Sequence, residues 1–382
     1  MIKVCIYTTV HRPDDVRVFH REAKSLAMHG YEVVLLAHAD GTEEMRDGVL
    51  LKAIPRPKNR FFRLLSVFRF AWRAWRENAE VYHFHDIELL PVSVLLKWVT
   101  KKIVLYDCHE NYPQTAYERV WYPGWLKPLL FRLISRLEPA LARRLDAVIC
   151  VVADQQERFD SHGCRTILLR NLPELENFDH AYANRKTPEP RLIYLGGLSR
   201  ARGAAVMIEI MAQLRNSHPN ISLLCLGPFN EPHVEKEIKV QVKERGLQDQ
   251  LIYERFIPHE RVADYLVHSL IGLIPWQANQ QMLKMVFPNK LFEYMACGLP
   301  VVGSDLPSLR MLINQAECGF VVPPDDAKAH AAAIGRLLDD EKLRQEMGKR
   351  GRLFVQNNFN WQNEVSKLYG LYEELTRADS EV

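Results

Sequence analysis

The chain has 382 residues, 47% of them apolar and 25% charged, with a formal net charge of +3. That length predicts two domains of ordinary globular composition. So small a positive charge argues against a nucleic-acid partner, and no apolar run reaches the roughly 18 residues that a membrane span needs.

The first run, MIKVCIYTTV, is short and β-branched and reads as a strand rather than a signal peptide. Further strands are predicted at Glu32–Ala37, Val81–Phe84, Ile103–Asp107 and Ala147–Val151, the first spanning Ile2–Thr8. Arg191–Leu195, Ile221–Leu226, Leu251–Phe256, Ile271–Ile274, Pro300–Gly303 and Gly319–Val322 follow in the second half. Helical patterns lie between them, so both halves predict parallel sheets covered by helices on both faces. The polar, proline-containing stretch 173–190 is the candidate linker. The expected fold class is therefore α/β, with two Rossmann-like doubly wound domains, 1–172 and 191–360, around a cleft. Residues 361–382 form a closing helix in which Val365, Leu368, Tyr369 and Tyr372 share one face. In such sheets ligands bind at the C-terminal ends of the strands. The seven cysteines are scattered without a C-x-x-C pair, mostly in apolar runs. They predict small buried side chains in a reducing cytoplasm.

Polar residues cluster where the predicted strands end. The loop Thr8–Arg17 holds His11, Arg12, Asp14, Asp15 and Arg17. It is a candidate acceptor-binding loop, although Asp14-Asp15 also suits a helix N-cap. Val81-Tyr-His-Phe-His-Asp-Ile-Glu88 and Leu105-Tyr-Asp-Cys-His-Glu-Asn111 each put histidine beside an acid. His83, His85, Asp86, His109 and Glu110 could ligate a metal or face a substrate, yet nothing in their spacing sets a tetrahedral site. Segment 52–76 carries Lys52, Arg56, Lys58, Arg60, Arg63, Arg69, Arg73 and Arg76 among Phe61, Phe62, Phe68, Phe70, Trp72 and Trp75. Segment 119–144 mixes Trp121, Tyr122 and Trp125 with Arg119, Lys127, Arg132, Arg136, Arg143 and Arg144. Such basic aromatic segments suit an anionic bilayer surface; solvated helices with inward aromatics are the plainer reading.

In the second half, Tyr194-Leu-Gly-Gly-Leu-Ser-Arg-Ala-Arg-Gly203 turns from strand to helix through Gly196-Gly197. It is either a tight turn or a loop whose amides approach a phosphate, with Arg200 and Arg202 in reach. No dinucleotide fingerprint or P-loop is present. Farther on, FPNKLFEYMACGLPVVGSD (287–305) predicts a short helix, a turn and a buried strand. Lys290 and Glu293 share a face near the helix N-terminus, which presents free N–H groups. They read either as an ion pair or as a grip on a nucleotide diphosphate and its ribose.

That last segment resembles the signature helix of the retaining, nucleotide-sugar-dependent glycosyltransferases of family four, which have the GT-B fold. VYHFHDIELLP, VLYDCHENYP, YLGGLSRARG and FNWQNEVSKLYGLYEEL resemble other segments of bacterial members, in the right order. The resemblance implies a catalytic set of His109, Lys290 and Glu293. It implies donor contacts from Gly196, Gly197, Arg202, Asn289, Lys290, Leu291 and Glu293, with Glu293 on the ribose and Lys290 and Arg202 on the diphosphate. His11, Asp15, Arg17, His85, Asp86 and Glu110 are the acceptor-side candidates. Two positions depart from the family pattern: Met285 stands where a sugar-binding Glu is usual, and Gly197 where an Arg is usual. The implied reaction is transfer from a UDP- or GDP-sugar with retention, without a metal or other cofactor. The implied acceptor is a lipid-linked saccharide, in polysaccharide or lipopolysaccharide assembly. Segments 52–76 and 119–144 would touch the cytoplasmic face of the plasma membrane. A nucleotide-sugar epimerase of the same fold and a non-catalytic nucleotide-sugar-binding protein are the alternatives.

Overall fold

In the computed structural model the described residues are 1–57, 60–118, 123–283 and 287–380. Lys58, Arg119, Trp121, Tyr122 and Met285 lie outside them, as do the side chains of Arg60, Phe61, Phe62 and Arg63. Two units are distinguished: Met1–Asn171 with Glu364–Val382, and Leu172–Asn363.

The first unit carries β1 (Lys3–Tyr7), β2 (Glu32–His38), β3 (Glu44–Arg46), β4 (Val49–Ile54), β5 (Val81–Phe84), β6 (Ile103–Cys108), β7 (Ala147–Cys150) and β8 (Thr166–Leu168). Their order across the sheet is β3-β4-β2-β1-β5-β6-β7-β8. All neighbours run parallel except the β3–β4 hairpin. β1, β5, β6 and β7 are buried along almost their whole length, as strands covered on both faces must be. The chain leaves β1 toward β2 and later returns to β5 on the other side. The switch in strand order therefore falls between β1 and β5, where loops open a crevice.

The second unit carries β9 (Arg191–Leu195), β10 (Ser222–Leu226), β11 (Leu251–Glu254), β12 (Ile271–Ile274), β13 (Val301–Ser304) and β14 (Gly319–Val322). They form a parallel sheet in the order β11-β10-β9-β12-β13-β14, with its switch between β9 and β12. Two buried clusters sandwich it, one built on Phe292, Tyr294, Leu309 and Leu312, the other on Met207, Ile210, Ile238 and Ile334.

β3, β4 and β8 are absent from the sequence-based expectation. β3 is an edge strand, exposed at Glu44 and Met45, and β8 is only three half-buried residues long, too short a run to stand out. The stretch 173–190, expected as a linker, contains the helix Leu175–Ala183, with Phe178 and Ala181 buried in the second unit. The C-terminal helix Ser366–Ser380 packs within the first unit, where Leu368 and Tyr372 are fully buried and Tyr369 stacks on His29 at 3.9 Å. All seven cysteines are buried and unpaired.

Candidate functional site

The residues singled out by sequence fall into two groups, one at the strand switch of each unit. In the second unit, β9 ends in Gly196, whose φ is +111°. Its N–H donates to Leu226 O at 2.7 Å. The Tyr194 hydroxyl donates to Gly197 O at 3.0 Å, and Arg202 Nη1 reaches the same carbonyl at 3.3 Å. A Cβ on Gly197 would meet Asn230 Oδ1 at 2.3 Å, so Asn230 also lines this turn. The turn closes at Gly203, where φ is +81° and a Cβ would lie 1.9 Å from Pro275 O. Only glycine satisfies both demands.

Lys290 enters this group from the helix Asn289–Ala296. Leu291, Phe292, Tyr294 and Met295 anchor that helix in the core and carry Lys290 inward with them. Among the described residues its ammonium has no hydrogen-bond partner. It lies 3.9 Å above the Tyr194 ring centroid and 5.3 Å from that of Trp276. It would also be 3.2 Å from a Cβ on Gly196, so the bare glycine is what separates it from the turn. Burial first, and the Arg202 charge second, push the Lys290 pKa well below the usual lysine range. The aromatic faces replace part of the lost hydration, but they do not accept hydrogen bonds as water would. An unpartnered buried cation beside a glycine turn and a second cation is a site built for an anion.

Glu293 is half-buried one turn along the same helix, and Asn289 is exposed in its first turn. Two expectations are corrected here. Leu291 is fully buried in the core and its N–H donates to Pro288 O at 2.9 Å, so its side chain meets no donor. Arg200 is exposed and paired with Glu237 rather than with the turn.

In the first unit, Asp15 caps the helix Val16–Ala23, accepting from Arg17 N and Val18 N. This helix is a π-helix, in which residues five apart face the same way. Arg17 and Glu22 therefore point together into the sheet edge. Arg17 Nε lies 3.0 Å from Glu22, Arg17 Nη2 lies 2.6 Å from Asp107, and Arg17 Nη1 donates to Asn171 at 2.7 Å. Burial opposes ionisation of Asp107, but Arg17 together with the His109 hydrogen bond and the neighbouring histidines outweighs it and holds that carboxyl well below the usual range. Burial and then Asp107 push Glu22 well above it. His83 and His85 lie against the same carboxylates, and burial drives His83 down to about 4 and His85 well below the usual histidine value.

Three acceptor-side expectations are thereby corrected. Arg17 is consumed by Glu22, Asp107 and Asn171, and His85 is wholly buried. Asp86 is buried and organises the loop after β1, accepting from Thr8 Oγ1 at 2.7 Å and Thr9 N at 2.6 Å. The buried group Glu22, His83, His85 and Asp107 differs from the metal set considered from sequence: Asp86 turns to the loop and Glu110 is exposed. The His83 and His85 rings stack 4.9 Å apart at 19°, and their Nε2 atoms lie 3.7 and 3.5 Å from the same Glu22 oxygen.

His11, Asp15 and His109 do meet. His11 Nδ1 lies 3.2 Å from Asp15, His109 Nδ1 lies 3.1 Å from Asp107, and the two Nε2 atoms are 2.7 Å apart. Glu22 and Asn171 escaped the sequence reading. An acid on an otherwise ordinary helical turn carries no signal until the helix is known to bury that face. Asp107, a lone acid ending the apolar run IVLY, was the visible sign of a buried charge.

A family model described as glycosyl transferases group 1 matches residues 176–354, and one described as glycosyltransferase family 4 matches residues 16–168. Glycogen synthase of Mycobacterium tuberculosis is 23% identical over 314 residues, 80% of this chain and 71% of that one. Phosphatidyl-myo-inositol mannosyltransferase of Mycolicibacterium smegmatis is 24% identical over 371 residues, 94% of this chain and 90% of that one. Among solved structures, sucrose-phosphate synthase of Thermosynechococcus elongatus superposes with a TM-score of 0.73 at 24% identity, covering 99% of this chain and 100% of its own. Anabaena HepE in complex with UDP and glucose does so with a TM-score of 0.71 at 15% identity, covering 98% and 100%. Each unit is built on a doubly wound sheet, a glycosyltransferase family 4 model matches the first and a glycosyl transferases group 1 model the second, and the chain is thus a glycosyltransferase of the group 1 and family 4 type with the GT-B fold.

Proposed function

We propose that this glycosyltransferase takes a sugar from a nucleotide-diphosphate donor held at the Gly196–Gly197 turn and transfers it with retention to a saccharide acceptor. The carrying observation is the buried Lys290 ammonium, without a hydrogen-bond partner, beside Gly196 and Arg202. The donor diphosphate draws that ammonium from over Tyr194 and raises its pKa. As the glycosyl bond breaks, negative charge grows on the leaving phosphate, and Lys290 and Arg202 stabilise it without any rearrangement of solvent. Glu293, one turn along, accepts from the ribose hydroxyls. In the first unit, Asp15 and Glu110 orient the acceptor. Anabaena HepE, which shares this fold and was solved with UDP and glucose, supports a donor of this class. A thermal-shift screen of UDP-, GDP- and dTDP-sugars, followed by NMR of the product's anomeric configuration, tests the reading. Stabilisation by none of these donors, or an inverted product, overturns it.

We further propose that the acceptor is lipid-linked and that the first unit rests on an anionic membrane. The helix Arg60–Arg76 exposes Phe68, Trp72 and Trp75 together with Arg69, Arg73 and Arg76. The adjoining helix Leu90–Thr100 exposes Leu95, Trp98 and Val99, and a groove between the two is lined by Trp72, Trp75, Leu95 and Val99. Helix Leu126–Ala142 adds exposed Leu129, Phe131, Leu133 and Leu137 with Arg132 and Arg136. Interleaved aromatic and basic groups suit the headgroup layer. Phe70 and Lys52 take no part: Phe70 is buried, and Lys52 is paired with Glu77. Among the described residues no helix is long and apolar enough to cross a membrane.

A further inference from the structure

The contact between His11 and His109 carries a proton inventory of its own. Each ring is held on its Nδ1 side by a carboxylate, Asp15 for His11 and Asp107 for His109. Both carboxylates are ionised at neutral pH. At Asp107 burial is outweighed by Arg17 together with the His109 hydrogen bond and the neighbouring histidines. At Asp15 burial is outweighed by His11 and by the N–H groups of Val18 and Arg17, and its pKa falls to about 2. An ionised carboxylate only accepts, so both Nδ1 atoms carry hydrogen, and a neutral imidazole has one N–H and no more. Two neutral rings would then turn bare lone pairs on each other across the 2.7 Å gap between the Nε2 atoms.

We infer that His11 and His109 share one proton between their Nε2 atoms, forming a singly charged dyad in which His11 is the positioning residue for His109. Three N–H protons are spread over two rings. The surroundings accommodate the charge. Asp15 faces the dyad from the helix cap and Asp107 from β6, and Asp86 Oδ1 lies 3.7 Å from His11 Nε2. Arg17 is the opposing cation, already spent on Asp107 and Glu22, and the neighbouring His85 is neutral. Burial works against a charge on His11, and Asp15, Asp86 and Asp107 outweigh it, so its pKa is raised. The dyad ties the loop after β1 to the end of β6 and keeps His109 in one ring orientation and one tautomer. Loss of the proton sets two lone pairs against each other and releases the loop. None of this depends on which donor the second unit holds.

Long-range proton–nitrogen NMR of the full chain, labelled with nitrogen-15 histidine, reads this directly at about pH 8, where a free imidazole of pKa about 6.5 is neutral. The expected spectrum has two Nε2 resonances between the neutral and imidazolium positions, coupled to one low-field proton. His11→Asn removes that proton signal and moves His109 Nε2 to the bare-nitrogen position, while the far-ultraviolet circular dichroism is unchanged. Neutral-ring patterns for every histidine in the wild type overturn the dyad, as does a low-field signal that survives His11→Asn. Should His11→Asn fold poorly, the wild-type spectrum decides alone.

Discussion

Replacing Lys290 by methionine separates two consequences of one buried ammonium. Without ligand, Lys290 makes no hydrogen bond and is burdened by desolvation and by Arg202. Methionine keeps the apolar stem and removes the charged head, so the unliganded protein should lose no stability and should gain some. The sign with pH follows. Lys290 has a folded pKa depressed below its unfolded value of about 10.4. The unfolded chain therefore binds more protons, and wild-type stability rises with pH between the depressed folded value and about 10.4. The advantage of Lys290→Met should be greatest at low pH and vanish toward pH 10 or so. Donor binding should change in the opposite sense. A unit charge about 4 Å from a phosphate charge is worth roughly 4 kcal/mol at an effective dielectric near 20. Desolvating the phosphate consumes part of that, leaving about 2–3 kcal/mol, or roughly a 30- to 150-fold weaker Kd for the cognate nucleotide. Calorimetric titration of UDP, GDP and dTDP into both proteins measures it. Repeating the titration near pH 10, where the depressed Lys290 has lost its proton, in buffers of different ionisation enthalpy should show proton uptake by the wild type alone. Binding within threefold of wild type, or a variant less stable by more than about 2 kcal/mol, would refute the reasoning, since the lysine would then be structural.

Gly203→Ala should destabilise the second unit by more than about 2 kcal/mol in urea melts, because its Cβ meets Pro275 O at a positive φ; a Tm within two degrees or so of wild type would contradict the turn geometry. Arg17→Met leaves Asp107 and Glu22 with one proton and no cation and should cost about 3–5 kcal/mol. Adding Asp107→Asn should restore at least half of that loss, and simple additivity of the two changes would show that the pair is not coupled. Trp72→Ala with Trp98→Ala removes two side chains that are 49% and 69% exposed, so it should leave stability unchanged. Co-sedimentation with vesicles rich in anionic lipid should fall at least tenfold, and undiminished sedimentation would place the membrane contact elsewhere.

The alternation of buried strands with helices was legible because each parallel strand buries both faces and so writes an apolar run, as IVLYDC and VVLLA do. β1, β5, β6, β9, β12 and β14 fall within a residue or so of their expected places. Helix Leu175–Ala183 was not legible, since its polar exposed face and flanking prolines outweigh the two residues, Phe178 and Ala181, that bury it. At the candidate sites, chemistry was readable and direction was not. Sequence alone placed His11, Arg17, His85, Asp86 and His109 at strand ends, because polar residues closing an apolar run have nowhere else to lie, and Lys290 at a helix N-terminus. Only the tertiary structure decided which of them keep a free edge. Arg17 is spent because a π-helix turns it onto the same face as Glu22, five residues on, and strand pairing sets Asp107 before both. Lys290 is unspent for the converse reason: the apolar residues of its own helix drag it under Gly196, where it meets aromatic faces and no carboxylate within hydrogen-bonding reach. Whether a buried charge is neutralised depends on partners tens or hundreds of residues away, and no local pattern records them.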